Sequence, residues 1–341
     1  VSELPQLPPG LTAHHLRATD VEALADLLGR IRERTRGHGG ADVDSVRSTA
    51  VGIGSWTRHQ LLVRRADLDD GVALAWASAH DRAAGRTDLV LHVDRSQRDA
   101  EAVAIALLDW LDATAAAIAQ SRDLSETLLE ILVDAGDEEM QGWLARHGHH
   151  RARRWLNMSR PVAPGEQLRG REGVAVRRVR THDLGDGTTM PVAEDLQAVH
   201  RVLERSFADH FNSYRESFGE FVQRLREDSG HRWDHWWLAT VQHEGHDLVA
   251  GALVSTVSPA DASGVEGSYV SYIGVDRLAR GRGVAKALLA TVINDASERG
   301  RNRVGLEVDA DSPTGADGLY RSLGWETSYV TESWQKRLTL S

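Results

Sequence analysis

The chain has 341 residues, 41% hydrophobic and 26% charged, which fits globular protein and gives length enough for two domains. Its formal net charge of −10 argues against a nucleic-acid backbone as a main partner, because affinity for phosphates needs clustered positive charge. The absence of cysteine excludes disulfides, thiolate metal sites and a cysteinyl acyl-enzyme. No apolar run approaches the ~18 residues of a membrane span, and Val1 to Pro9 lacks the blocks of a secretory signal, so the expectation is cytoplasmic, with no membrane partner.

In chain order, residues 10–160 read as alternating strands and helices, with Val93-Asp94-Arg95 preceding a helix. Residues 161–173 carry two prolines and several glycines without apolar periodicity and are expected to form a linker. A second domain is expected over 174–341. Within it, Asp195 to Arg205 is amphipathic, with Leu196, Val199, Val202 and Leu203 at helical spacing. Trp236–Val241 and Leu248–Val257 are strand-like and flank a hairpin turn at Glu244-Gly245. Tyr269–Val275 is a further strand, and Arg282–Arg299 a helix with Val284, Leu288, Leu289, Val292, Ile293 and Ala296 on one stripe. Val304–Asp309 alternates, turning Val304, Leu306 and Val308 one way and Glu307 the other. Ala316–Leu323 is a short helix closed by Gly324.

The halves echo one another. Val275-Asp276-Arg277 matches Val93-Asp94-Arg95, Leu248–Ser255 matches Gly71–Ser78, and Leu319–Trp325 matches Trp143–His149, at offsets of 182, 177 and 176 residues. Three matches in the same order point to a duplicated fold.

Chemistry concentrates in Ser271–Asp276 followed by Arg280-Gly-Arg-Gly-Val-Ala285 and a helix. A pyrophosphate needs backbone N–H groups converging at short range. Glycines let the backbone approach, and a helix N-terminus adds partial positive charge. Arg280 and Arg282 supply charge-assisted contacts. The plainer reading is a glycine-containing strand-to-helix turn, which many α/β proteins carry.

The run resembles motif A of the GCN5-related N-acetyltransferase (GNAT) superfamily, and Leu306–Trp325, ending Leu-Tyr-x-x-Leu-Gly-aromatic, resembles its motif B. The resemblance implies a mixed α/β (α+β) fold: two tandem GNAT-like domains, each a central mixed, mostly antiparallel sheet flanked by helices. It implies acetyl-CoA as co-substrate and no metal. Backbone groups of Ile273, Gly274 and Val275 would hold the pantetheine arm. Arg280, Gly281, Arg282, Gly283, Val284 and Ala285 would hold the pyrophosphate. Ser312, where many members have asparagine, would lie near the cofactor arm. Tyr320 would donate a proton to the departing thiolate, since a phenol stays protonated at neutral pH. Glu307 is the first candidate for general base; its plain alternative is a partly solvated strand carboxylate. Mycothiol-synthase-like tandem members place a carboxylate on the strand before motif A, a position that falls on Tyr269 here, with Glu266 upstream. Asp209, His210 and Tyr214, in the loop of the first helical pair, are candidates for the acceptor pocket.

The first half lacks these features. At the 182-residue offset the phosphate loop becomes Arg98-Asp-Ala-Glu-Ala-Val103, with Asp99 and Glu101 where phosphates must approach, and at the 176-residue offset Tyr320 falls on Leu144. Residues 10–160 are therefore expected to be a degenerate scaffold. His147, His149 and His150 read as a solvated turn, and His243-Glu-Gly-His246 as a hairpin, neither as a metal site. The expected activity is acetyl transfer to a primary amine of a small molecule or peptide, by a monomer or homodimer. The rivals are a mycothiol-synthase-like enzyme acting on a cysteinyl amino-sugar conjugate and a non-catalytic acyl-CoA sensor.

Overall fold

A computed structural model describes residues 3–37, 40–66, 71–82, 85–185, 189–208, 216–311 and 315–340. The chain divides into two compact units: Val1–Leu156 with Asp309–Pro313 and Tyr329–Ser341, and Asn157–Val308 with Thr314–Ser328. The sequence-based boundary differs in two respects. Residues 161–173 lie inside the second unit, and the chain's last strand belongs to the first from Tyr329 onward.

Unit 1 runs β1 (Leu11–His15), α1 (Val21–Arg36), α2 (Val43–Ala50), β2 (Arg58–Arg65), β3 (Ala75–Arg82), β4 (Arg86–Val93), α3 (Ala100–Ser121), β5 (Glu126–Asp134), α4 (Glu138–Arg146) and the start of β6 (His150–Pro161). Strands β1 to β4 pair antiparallel in sequence order. The α3 crossover then brings β5 parallel to β4, as a strand–helix–strand unit requires. On its other edge β5 pairs antiparallel with residues 331–339, and Trp334 and Leu338 from that stretch pack on the unit's core. α3 is long and apolar enough to cross a membrane by length and composition, which corrects the expectation that no such run exists. In this fold it is a core helix, burying Leu107, Leu108 and Leu111 against Leu129 and Ile131 of β5.

Unit 2 continues with β7 (Val174–Arg178), β8 (Thr181–Asp183), β9 (Thr189–Pro191), α5 (Ala193–Phe207), α6 (Phe218–Arg226), β10 (His231–His243), β11 (His246–Ser258), β12 (Gly267–Val275), α7 (Val284–Glu298), β13 (Arg303–Asp309) and α8 (Ala316–Ser322); β14 (Glu326–Thr339) closes the chain. The pairing scheme repeats that of unit 1: β7, β10, β11 and β12 are antiparallel neighbours, and α7 carries the chain across to β13, parallel to β12. Glu244 and Gly245 both have positive φ, 51° and 78°, which makes the expected two-residue hairpin. The stripe read along α7 is buried throughout, each large aliphatic contributing about 1.5–3 kcal/mol. Close packing is possible because Gly251 of β11 lacks a Cβ, which would sit 2.6 Å from Val284 Cγ1.

The histidine cluster is not a solvated turn. His149 is only 4% exposed and stacks on His147, whose Nε2 lies 3.0 Å from Asp109 Oδ1. Burial and nearby Lys336 push the His149 pKa down to about 3, so the ring is neutral. Among the described residues no cluster of His, Asp and Glu is arranged to hold a metal.

Candidate functional site

The site begins with a break in pairing. Strands β12 and β13 pair only through Ser268, Tyr269 and Val270, opposite Val304, Gly305 and Leu306. Beyond Val270 the β13-facing edge of β12 has no ladder partner among the described residues. A bulge lies at that point: Val254 and Ser255 of β11 face Tyr272 and Val270, leaving Ser271 as an extra residue. The bulge bends β12 where the gap opens.

Beyond the bulge, Asp276 N–H donates to Ala250 O, and antiparallel alternation then aims the N–H and C=O groups of Tyr272 and Gly274 at β11. Those of Ile273 and Val275 face the opening. Two of the three backbone positions expected to hold a ligand arm thus point into the gap, and Gly274 does not. Its role is steric: a Cβ there would lie 2.7 Å from Ser206 Oγ and 2.9 Å from Leu203 Cδ2, so the glycine lets α5 lie against β12.

The gap leads into the glycine loop. Asp276 caps a 3₁₀ turn by accepting from Leu278 N–H. Gly281 and Gly283 then adopt φ of 77° and 82°, a region costly for other residues, and Gly283 is the N-cap of α7. The first α7 bond runs from Ala287 N–H to Gly283 O, so the N–H groups of Val284 and Ala285 have no partner within the helix. Arg280 and Arg282 are exposed. Free donors, a helix N-terminus and two cations form a cradle suited to phosphate oxygens.

Tyr320, on α8, is 8% exposed and touches Trp325 edge-on at 6.1 Å. Burial pushes its hydroxyl pKa up to about 12, so it stays a donor. Glu307 is exposed on β13, just past the last paired residue Leu306, and shares a face with Gly305 and with Tyr269 opposite it. The Tyr269 ring covers Gly305, where a Cβ would meet its Cδ2 at 3.1 Å. Glu266 is exposed and precedes β12, so at about 3.3 Å per residue it stands roughly 20 Å along the strand from Ile273 and does not join the gap. Ser312, Asp209, His210 and Tyr214 lie outside the described residues.

Two features escaped the sequence reading. Tyr272 projects from β12 toward Phe207 and Phe221, and its hydroxyl accepts from Arg224, which also grips Glu216 through two bonds of 2.8 and 2.6 Å. The second is the run after β6, which is fastened to α7 and ends beside Gly283. The corresponding loop of unit 1 lacks a cradle. Asp99 precedes α3 with φ of −103°, Glu101 is paired with Arg146, and Leu144 is fully buried.

Residues 197–325 match the model of the Acetyltransferase (GNAT) family. The chain is 34% identical over 141 residues to a mycothiol acetyltransferase of Kocuria rhizophila, covering 41% of this chain and 45% of that one. It is 33% identical over 201 residues to one from Nocardioides sp., covering 56% and 63%. The alignments therefore span about half to under two thirds of those relatives. In fold, the chain is similar to a GCN5-related N-acetyltransferase from Sphaerobacter thermophilus, with a TM-score of 0.73, 23% identity and 98% coverage of both chains. It is also similar to a tandem GNAT protein from the clavulanic acid biosynthesis pathway, with a TM-score of 0.65, 14% identity and coverage of 97% and 99%.

Proposed function

We propose that the chain, whose residues 197–325 match the GNAT family, transfers an acetyl group from acetyl-CoA to a primary amine by direct attack in a ternary complex. The observation that carries this reading is the unpaired edge of β12 running into the left-handed Gly281 and Gly283 at the head of α7. That edge offers Ile273 and Val275 to an extended amide-containing arm, as an added strand would use it. The loop and the first N–H groups of α7 hold the pyrophosphate, and Arg280 and Arg282 neutralise its charge.

With the cofactor so placed, the amine nitrogen bonds to the thioester carbonyl carbon, the carbon–sulfur bond breaks, and the electron pair leaves on sulfur. Tyr320 donates a hydrogen bond to the developing thiolate. Glu307, solvent-accessible and beside the gap, removes the amine proton, directly or through water. Unit 1, with carboxylates and buried side chains at the matching positions, serves as scaffold.

Two relatives at 33–34% identity are named mycothiol acetyltransferase, which favours the cysteinyl amino-sugar conjugate of the mycothiol-synthase-like alternative as acceptor. Incubation with acetyl-CoA and a panel of peptide amines, amino sugars and that conjugate, with products followed by mass, tests both readings. Acetylation of the conjugate alone selects the narrower one. Acetyl-CoA binding with no product from any amine sinks the transferase reading and leaves a sensor.

A further inference from the structure

Residues 161–173, expected to form a linker, are fastened down. Val162 N–H donates to Asn302 O at 2.8 Å, and Ser297 Oγ donates to Ala163 O at 3.1 Å. Arg160 and the Ala163 N–H both bind the Glu166 carboxylate. Leu168 exchanges two bonds with the Asn294 side chain, N–H to Oδ1 at 2.7 Å and Nδ2–H to its own O at 3.0 Å. Ser297 and Asn294 both project from α7, so the segment runs as a strap along that helix toward its N-terminus.

The strap ends at Arg171. Its stem lies over the Cα of Gly283: a Cβ on the glycine would stand 3.3 Å from Arg171 Cγ and 3.5 Å from Cδ. Among the described residues the Arg171, Arg280, Arg282 and Lys286 side chains have no hydrogen-bond or ion-pair partner. This contrasts with Arg177, Arg178, Arg224 and Arg299 in the same unit, each held by a carboxylate. Four cations without a partner among the described residues thus converge beside one glycine loop.

We propose that Arg171, carried by the strap, is an additional phosphate-binding residue for the cofactor, placed from outside the glycine motif. The inference rests on the acetyl-CoA reading of the loop. It also gives Gly283 a second constraint: besides the left-handed backbone, the position must leave room for the arginine stem.

The experiment measures acetyl-CoA affinity by calorimetry for the full chain and for Arg171→Met, Arg171→Lys and Arg47→Ala. Methionine keeps an apolar stem over Gly283 and removes the charge, lysine keeps a charge, and Arg47 lies on α2 of unit 1. One charge-assisted contact at a solvent-accessible position predicts about tenfold weaker binding for Arg171→Met, less for Arg171→Lys, and no change for Arg47→Ala. The loss should shrink as salt is raised, because the parent's extra contact is screened. Arg171→Met with parental affinity and an unchanged melting temperature overturns the inference while leaving the acetyl-CoA reading intact. A parent chain that fails to bind acetyl-CoA overturns both.

Discussion

Replacing Tyr320 by phenylalanine isolates what one hydroxyl does. Burial raises its pKa to about 12, whereas a free thiol titrates near 8.5. Complete transfer of the phenolic proton to an unperturbed thiolate is therefore uphill by about 3.5 units, or roughly 5 kcal/mol. That cost favours a hydrogen bond to the developing charge over an outright donation, and the expected magnitude is that of losing one preorganised donor, about 100- to 1000-fold in kcat. The ring contact with Trp325 survives the change, so folding and acetyl-CoA affinity should stay near parental values. Thiol release during acetyl transfer gives kcat, calorimetry gives Kd, and thermal unfolding checks the fold. The same burial makes a linkage prediction. Because the folded pKa lies above the unfolded value of 10, the hydroxyl's contribution is fully present below pH 10 and is lost as pH rises toward 12. A kcat within threefold of the parent, with the fold intact, removes Tyr320 from the chemistry.

Gly274→Ala drives a methyl into Ser206 and Leu203 and should cost about 1–3 kcal/mol, a fall of several degrees in melting temperature. Gly219→Ala on α6, with nothing within 4 Å, should be neutral or slightly stabilising in the same calorimetric scan. Asp195 is held well below the usual carboxylate range by the Arg177 guanidinium and then by Arg180. Its contribution is present above about pH 4 and lost as pH falls through the depressed folded value, so urea unfolding at pH 7 and pH 3 should show a shallower acid loss for Asp195→Asn. Both arginines are half exposed, which keeps the difference modest. Deleting residues 329–341 should destabilise unit 1, whose β5 loses its neighbour, and hydrogen exchange at Leu129 and Ile131 reports which unit opens.

Local pattern carried a good part of this fold. The period of two in Val304, Leu306 and Val308, the α7 stripe and the Glu244-Gly245 turn are set by near neighbours, so a linear reading finds them. The Gly281 and Gly283 loop was legible for the same reason: positive φ leaves a residue-type signature. What could not be read is whatever depends on a partner far along the chain. The bulge at Ser271 changes which backbone groups of β12 face the gap, and no alternation of hydropathy announces it. Gly274 looks like a ligand-approach glycine until α5 is seen against it. The strap is poor in apolar residues, so its anchoring by Asn294, Ser297 and Glu166 is invisible to hydrophobic periodicity. His149 is buried although its neighbours read as a turn.

The pairing of β5 with the chain's final strand sets an order of events during synthesis. A ribosome that has released Asp134 must still add about 200 residues before Thr331 to Thr339 emerge. At about 5–20 residues per second that is on the order of 10–40 s, during which the inner strand of unit 1 presents an open edge. Such an edge is a template for a neighbouring nascent chain on the same message as well as for its proper partner. The first half of this protein therefore carries an open strand edge until the second half has been made.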